Sequence, residues 1–193
     1  MKGKEESQCV GIIGPTNVAL MEQMAGLPSG TLEAAAAEIG VFLAHQSLAM
    51  VCVPVKGVPL WVLESYKRAG GKDALALWPT ASSVAETSQA QSRGRPELAH
   101  RVRDDLTWGE EPFELARISD CLVVLGLSCG TMIEMVATKW IKNTPLLAVS
   151  SLMTGIPAEI TAELDLKFCD GVDTLKEMIS KTLADLDTNR RTP

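Results

Sequence analysis

The sequence predicts a single-domain α/β protein, a doubly wound and mostly parallel sheet with helices on both faces. Three observations carry this expectation. Short apolar runs alternate with amphipathic segments along the chain, the pattern of strands connected by helices. The runs at 9–13 (CVGII), 48–55 (LAMVCVPV) and 121–125 (CLVVL) are apolar at nearly every position, as strands covered on both faces must be. None of them is followed by a two-residue hairpin turn into another strand, so each crosses over to a parallel neighbour by the right-handed route.

The first strand, Cys9 to Ile13, ends in the turn Gly14 to Asn17. A helix follows from about Thr31 to Gln46, with Leu32, Ala36, Ile39, Phe42 and Leu43 on one face. Leu48 to Val55 forms the second strand. After Lys56 and Gly57 comes a helix whose end is marked by Gly70 and Gly71, and then a strand from Ala74 to Trp78 stopped by Pro79. Between Thr80 and Pro112 the periodicity fades, and the segment is expected to be an irregular, mobile or loosely helical excursion; a connection of that length is often functional. Glu114 to Ser119 leads into the strand at Cys121, which gives way to a helix from Thr131 to Lys142. A strand from Pro145 to Val149, a short strand from Leu166 to Cys169, and a helix from Val172 to Leu186 complete the set. In that last helix Leu175, Met178, Ile179, Leu183 and Leu186 point inward. A chain of 193 residues fits one domain over 1–193, with flexible ends at 1–8 and 188–193.

A net charge of −6 and a pI near 5.0 argue against the broad basic surface that nucleic-acid backbone requires, so nucleic acid is not an expected partner. The first residues lack the apolar core of a signal peptide, and no apolar run approaches the roughly 20 residues that span a bilayer. The expectation is a cytoplasmic protein without a membrane partner. The five cysteines form no CxxC pair. Cys9, Cys52, Cys121 and Cys169 fall in apolar runs and are simplest as small buried hydrophobes.

Ligands of such sheets bind beyond the carboxyl ends of the strands. Three loops lie there: Gly14, Pro15, Thr16 and Asn17 after the first strand; Lys56 and Gly57 after the second; and Gly126, Ser128, Cys129, Gly130 and Thr131 after the strand at Cys121. The last leads into a helix, whose first N–H groups lack intrahelical partners and whose dipole favours a phosphate. Lys56 adds a point charge suited to the same anion. Each residue also has a plainer use: the glycines as sharp turns, Thr131 as a helix cap, Glu134 as its capping-box partner, Lys56 as a solvated side chain. Cys129 has the position of an activated thiol but no evident base, so lining the pocket is its expected role. Trp108, within the polar excursion, is a candidate to reach over a ligand. No His, Cys, Asp or Glu cluster has metal-ligand spacing, so neither a metal nor a required cofactor is expected.

Taken together, the segments 11–17 (GIIGPTN), Gly57 with the helix ending at 68–71 (RAGG), and 119–134 (SDCLVVLGLSCGTMIE) resemble the SLOG superfamily. That group includes the Lonely Guy phosphoribohydrolases, proteins labelled possible lysine decarboxylases, and molybdenum cofactor carriers. The resemblance covers about residues 9 to 180. It implies a nucleotide-binding, commonly dimeric protein of modified Rossmann fold with a phosphate-binding loop ending in Gly-Thr-x-x-Glu, matched here by Gly126, Gly130, Thr131 and Glu134. Leu127 and Ser128 stand where glycine or a small residue is usual. The family's hydrolases carry an Arg-Lys pair before this strand; here Arg101, Arg103 and Arg117 are loose substitutes. The implied function is binding of a phosphorylated nucleotide-like or pterin-like small molecule, as carrier or sensor, with a nucleotide or molybdopterin-type group as the ligand. The alternative is a phosphoribohydrolase that cleaves a nucleoside 5′-monophosphate to free base and ribose 5-phosphate, with Glu134 catalytic. Lysine decarboxylation is disfavoured, because no pyridoxal-phosphate site is recognisable. Apolar helix surface near Trp61 and Trp140 adds the expectation of a homodimer or higher homo-oligomer.

Overall fold

A computed structural model describes residues 8–80 and 94–191. The strands are β1 (Cys9–Ile13), β2 (Ala49–Cys52), β3 (Ala74–Leu77), β4 (Arg101–Arg103), β5 (Cys121–Val124), β6 (Leu146–Val149) and β7 (Leu166–Cys169). They form one sheet in the order β4-β3-β2-β1-β5-β6-β7, and every pairing is parallel. The helices are α1 (Val18–Met24), α2 (Thr31–His45), α3 (Val58–Arg68), α4 (Glu111–Ile118), α5 (Cys129–Ile141), α6 (Ala158–Thr161) and α7 (Val172–Arg191).

Alternation along the strands feeds two cores. Val10, Ile12, Met50, Cys52, Cys121, Val123 and Leu147 face one side, where α2, α3 and α7 supply Ile39, Leu43, Leu63, Tyr66, Leu175 and Ile179. Ile13, Val51, Leu77, Leu122, Val124 and Leu146 face the other, with Leu115 of α4 and Met135 of α5. The sheet is thus doubly wound, as its apolar strands require. The thiols of Cys9, Cys52, Cys121 and Cys169 sit within this packing. Burial pushes Cys9 and Cys121 up to about 12 and Cys52 higher still, which leaves all three in the unreactive thiol form.

The excursion expected over Thr80 to Pro112 differs. Residues 81–93 lie outside the described residues, as do 1–7 and 192–193 of the expected ends. Beyond them the chain forms a 3-10 turn at Pro96–Leu98, adds β4 to the sheet edge, and enters α4 at Glu111. The triplet Arg101-Val102-Arg103 carries no apolar pattern because it is an edge strand; Val102 is 47% exposed, and charged edges resist further pairing. α1 was equally hidden, since one of its two buried positions is Glu22. β2 ends at Cys52, short of Val55, where Pro54 supplies no N–H and Val55 N–H turns back to Val53 O at 2.9 Å. At the other end, Thr188 to Arg191 continue α7, and Arg190 binds Asp120 Oδ1 at 2.5 Å.

Candidate functional site

β1 and β5 are neighbours, but the chain leaves them in opposite directions, toward β2 on one side and β6 on the other. A crevice opens at the carboxyl ends of such a pair. Here the loops after β1, β2 and β5 enclose a cleft of about 320 Å³. The loops are fitted closely. Gly57 has φ +66°, and a Cβ on it would lie 2.4 Å from Pro15 O, while Val58 N–H donates to that same oxygen at 3.2 Å. A Cβ on Gly14 would lie 2.6 Å from Val58 Cγ1 and 2.7 Å from Leu125 O. Both glycines are therefore demanded by backbone approach, whatever else they do.

One wall is the start of α5. Ser128 is its N-cap: Ser128 Oγ accepts the Thr131 N–H at 3.3 Å and lies 2.9 Å from Thr131 Oγ1. The first main-chain bond runs from Met132 N–H to Ser128 O at 2.9 Å. Thr131, expected as a cap, is instead the third helical residue, buried and engaged by Ser128, and Glu134 is no partner in a capping box. The N–H groups of Cys129 and Gly130 have no partner among the described residues. Lys56, half-buried, faces the same cleft and has no ion-pair partner among the described residues.

The cleft also carries a carboxylic lining. Glu111 is the first residue of α4, Glu134 lies one turn into α5, and both line the cleft. Glu111 is 4% exposed, and its Oε1 has no hydrogen-bond partner among the described residues; neither does the buried Nε1 of Trp108, which lines the same cleft. Burial pushes Glu111 up to about 8, and burial together with the charge of Glu111 holds Glu134 well above the usual carboxylate range. Two adjacent carboxyl groups with little solvent retain a proton at neutral pH.

α4 is placed by a capping box that the sequence displays as Thr107-x-x-Glu110. Glu110 Oε2 accepts from Thr107 N–H and Oγ1, each at 2.8 Å, and Glu110 N–H returns to Thr107 Oγ1 at 3.3 Å. One turn on, buried Glu114 is ion-paired to both Arg103 and Arg117. Arg101 pairs with Asp73 at 2.6 Å. None of the three arginines lines the cleft.

Of the residues singled out from the sequence, Gly14, Thr16, Lys56, Ser128, Gly130, Thr131 and Glu134 line the cleft together with Trp108. Asn17 and Gly57 line an adjoining cavity of about 560 Å³ that shares Thr16 and Lys56. Pro15 and Gly126 line neither cavity; a Cβ on Gly126, at φ +83°, would lie 3.1 Å from Pro15 Cδ. Cys129 is exposed at the outer side of the helix start and does not line the cleft, contrary to its expected role. Glu111 was missed because it fell in a stretch with no periodicity; the signal available was Thr107-x-x-Glu110 followed by Pro112 at the start of a helix.

No family model and no curated protein matches the chain. Solved structures do. The protein TM1055 aligns over 90% of this chain and 99% of its own, with a TM-score of 0.70 at 17% identity. The molybdenum cofactor binding protein of the phototrophic bacterium Rippkaea orientalis aligns over 93% of this chain and 99% of its own, with a TM-score of 0.71 at 13% identity. The chain has the Rossmann-like fold that the SLOG resemblance implies. The molybdenum cofactor carrier protein of Chlamydomonas reinhardtii shares it at a TM-score of 0.68 and 16% identity, over 93% of this chain and 99% of that one. Among the described residues no helix is long and apolar enough to cross a membrane, and no three His, Cys, Asp or Glu side chains gather to hold a metal ion.

Proposed function

We propose that the cleft binds a phosphorylated nucleotide-like or pterin-like small molecule, which the protein carries or senses. The observation that carries this reading is the meeting of Lys56 with the start of α5 at Ser128 and Gly130, at the switch point of the sheet. The phosphate sits against that wall, held by backbone dipoles and one ammonium. A cleft of about 320 Å³ is at the small end of small-molecule sites and suits one heterocycle with its substituent. The molybdenum cofactor proteins among the structural neighbours support a molybdopterin-type ligand. The test is calorimetric titration with nucleoside 5′-monophosphates, with inorganic phosphate as competitor. Binding that phosphate displaces, and that Lys56→Ala weakens at least about tenfold, supports the reading; no heat from any of them refutes it.

The hydrolase reading rests on Glu134, a carboxyl facing the cleft. It requires Glu134 to stabilise charge at the sugar or to position water. Against it, no described arginine lines the cleft to hold the phosphate of a reacting nucleotide. Release of free base from a nucleoside 5′-monophosphate, abolished in Glu134→Ala with phosphate binding retained, would establish the enzyme.

The same proposal takes the whole chain as one such unit acting in the cytoplasm, a setting that its five free thiols favour. It also takes the protein as a homo-oligomer. Ile133 and Trp140, one heptad apart on α5, are 55% and 71% exposed, and Phe113 of α4 is 39% exposed. Trp61, the other expected contact, packs instead against the core. A monomeric mass in light scattering would dismiss the oligomer.

A further inference from the structure

The carboxylic wall gives the cleft a chemistry that phosphate binding does not explain. Anion recognition uses Lys56 and the α5 terminus and leaves the two carboxyl groups of the same cleft unused. Glu111 is nine-tenths buried, and its Oε1 is without a partner among the described residues although a buried acceptor left unsatisfied is costly. A second orphan, the Trp108 Nε1 donor, lies in the same wall. Unmet groups of this kind at a cleft are complementary to something a ligand brings.

We propose that Glu111, with Glu134 beside it, accepts the paired N–H edge of a 2-amino-4-oxo heterocycle, the edge shared by guanine and pterin. In that edge a ring N–H and an exocyclic NH2 point the same way, and the two oxygens of Glu111 in its ionised form receive both in parallel, with Glu134 keeping the proton that the pair retains. Trp108 Nε1 then donates to an acceptor on the ring. Adenine presents a ring acceptor beside its amino group and meets a carboxylate oxygen with a lone pair. Hypoxanthine keeps the ring N–H but lacks the amino group, so one Glu111 oxygen stays unmet. The inference rests on the phosphate-binding reading above and narrows its ligand to one class of base.

The experiment compares GMP with IMP and AMP on the intact protein, and free pterin with lumazine, which bears an oxygen where pterin has the amino group. The expected result is GMP tighter than IMP by at least about tenfold, AMP weaker still, and pterin tighter than lumazine. In Glu111→Gln, whose amide offers one acceptor and one donor, the GMP to IMP ratio falls toward unity. Preference within the purines alone identifies a guanine site; preference within the pteridines alone identifies a pterin site; either sustains the proposal. GMP and IMP of equal affinity, with pterin and lumazine also equal, overturn this inference while leaving phosphate binding in place. A preference that persists unchanged in Glu111→Gln also overturns it. Failure of every monophosphate and both pteridines to bind overturns the inference and the reading beneath it.

Discussion

Glu22 Oε1 accepts the Leu32 N–H at 2.8 Å, so a carboxylate from α1 closes the N-terminus of α2. Its Oε2 takes the Gly30 N–H at 3.2 Å, and the side chain is buried. The protein's own negative charge thus occupies the anion position of α2, whereas the terminus of α5 is capped only by the neutral Ser128 and stays open to a ligand. Removing this carboxylate leaves two donors without a charged acceptor. Glu22→Ala is expected to lower stability by about 2 kcal/mol, and Glu22→Gln by less, in urea unfolding monitored by circular dichroism. Equal stability of all three proteins would show that water replaces the cap.

Ser128 separates folding from binding. Ser128→Ala loses the cap and is expected to cost about 1 kcal/mol. Ser128→Asp restores the cap but places a negative charge where the phosphate is proposed to lie. It should melt near the parent temperature and bind nucleoside monophosphates at least about tenfold more weakly. An Asp variant that binds as well as the parent would move the phosphate elsewhere.

The buried carboxyl pair makes stability depend on pH. Glu111 ionises at about 8 in the folded protein and near the ordinary glutamate value when unfolded. As pH rises between those values the unfolded chain gives up its proton first, so stability present in acid is lost by at most about 1.4 kcal/mol per pH unit for this group, levelling off above pH 8. Glu134, displaced in the same direction, adds to the slope. Glu111→Gln should therefore melt above the parent at pH 8 and lose that advantage near pH 5. A constant difference in scanning calorimetry at both pH values would contradict the buried charge.

Gly57 holds the loops together. With φ +66° and Pro15 O 2.4 Å from where a Cβ would be, Gly57→Ala must displace the Pro15 loop. It is expected to destabilise by about 3 kcal/mol or more. Gly155, with open space around it and no positive φ, serves as the control, and Gly155→Ala should melt like the parent. Two variants of equal stability would mean that the loop shifts freely.

Fold class, the order of most elements, and the face of the sheet that carries the site follow from the sequence by itself. Runs such as 121–125 are apolar throughout because both faces of a central strand are covered, and the small-residue turns after them mark carboxyl ends. That local chemistry brought Gly14, Thr16, Lys56, Ser128, Gly130 and Thr131 into view, and the family resemblance added Glu134. Three features needed tertiary structure. β4 is legible only as a partner of β3, because Arg101 and Arg103 at an edge obey charge rather than hydropathy. α1 depends on Glu22 finding the end of a different helix. The carboxylic wall depends on α4 packing beside α5, which sets Glu111 in α4 next to Glu134, 23 positions along the chain, and desolvates both. Periodicity records which residues avoid water; it does not record which two buried charges meet, because that is fixed by packing between elements distant in sequence.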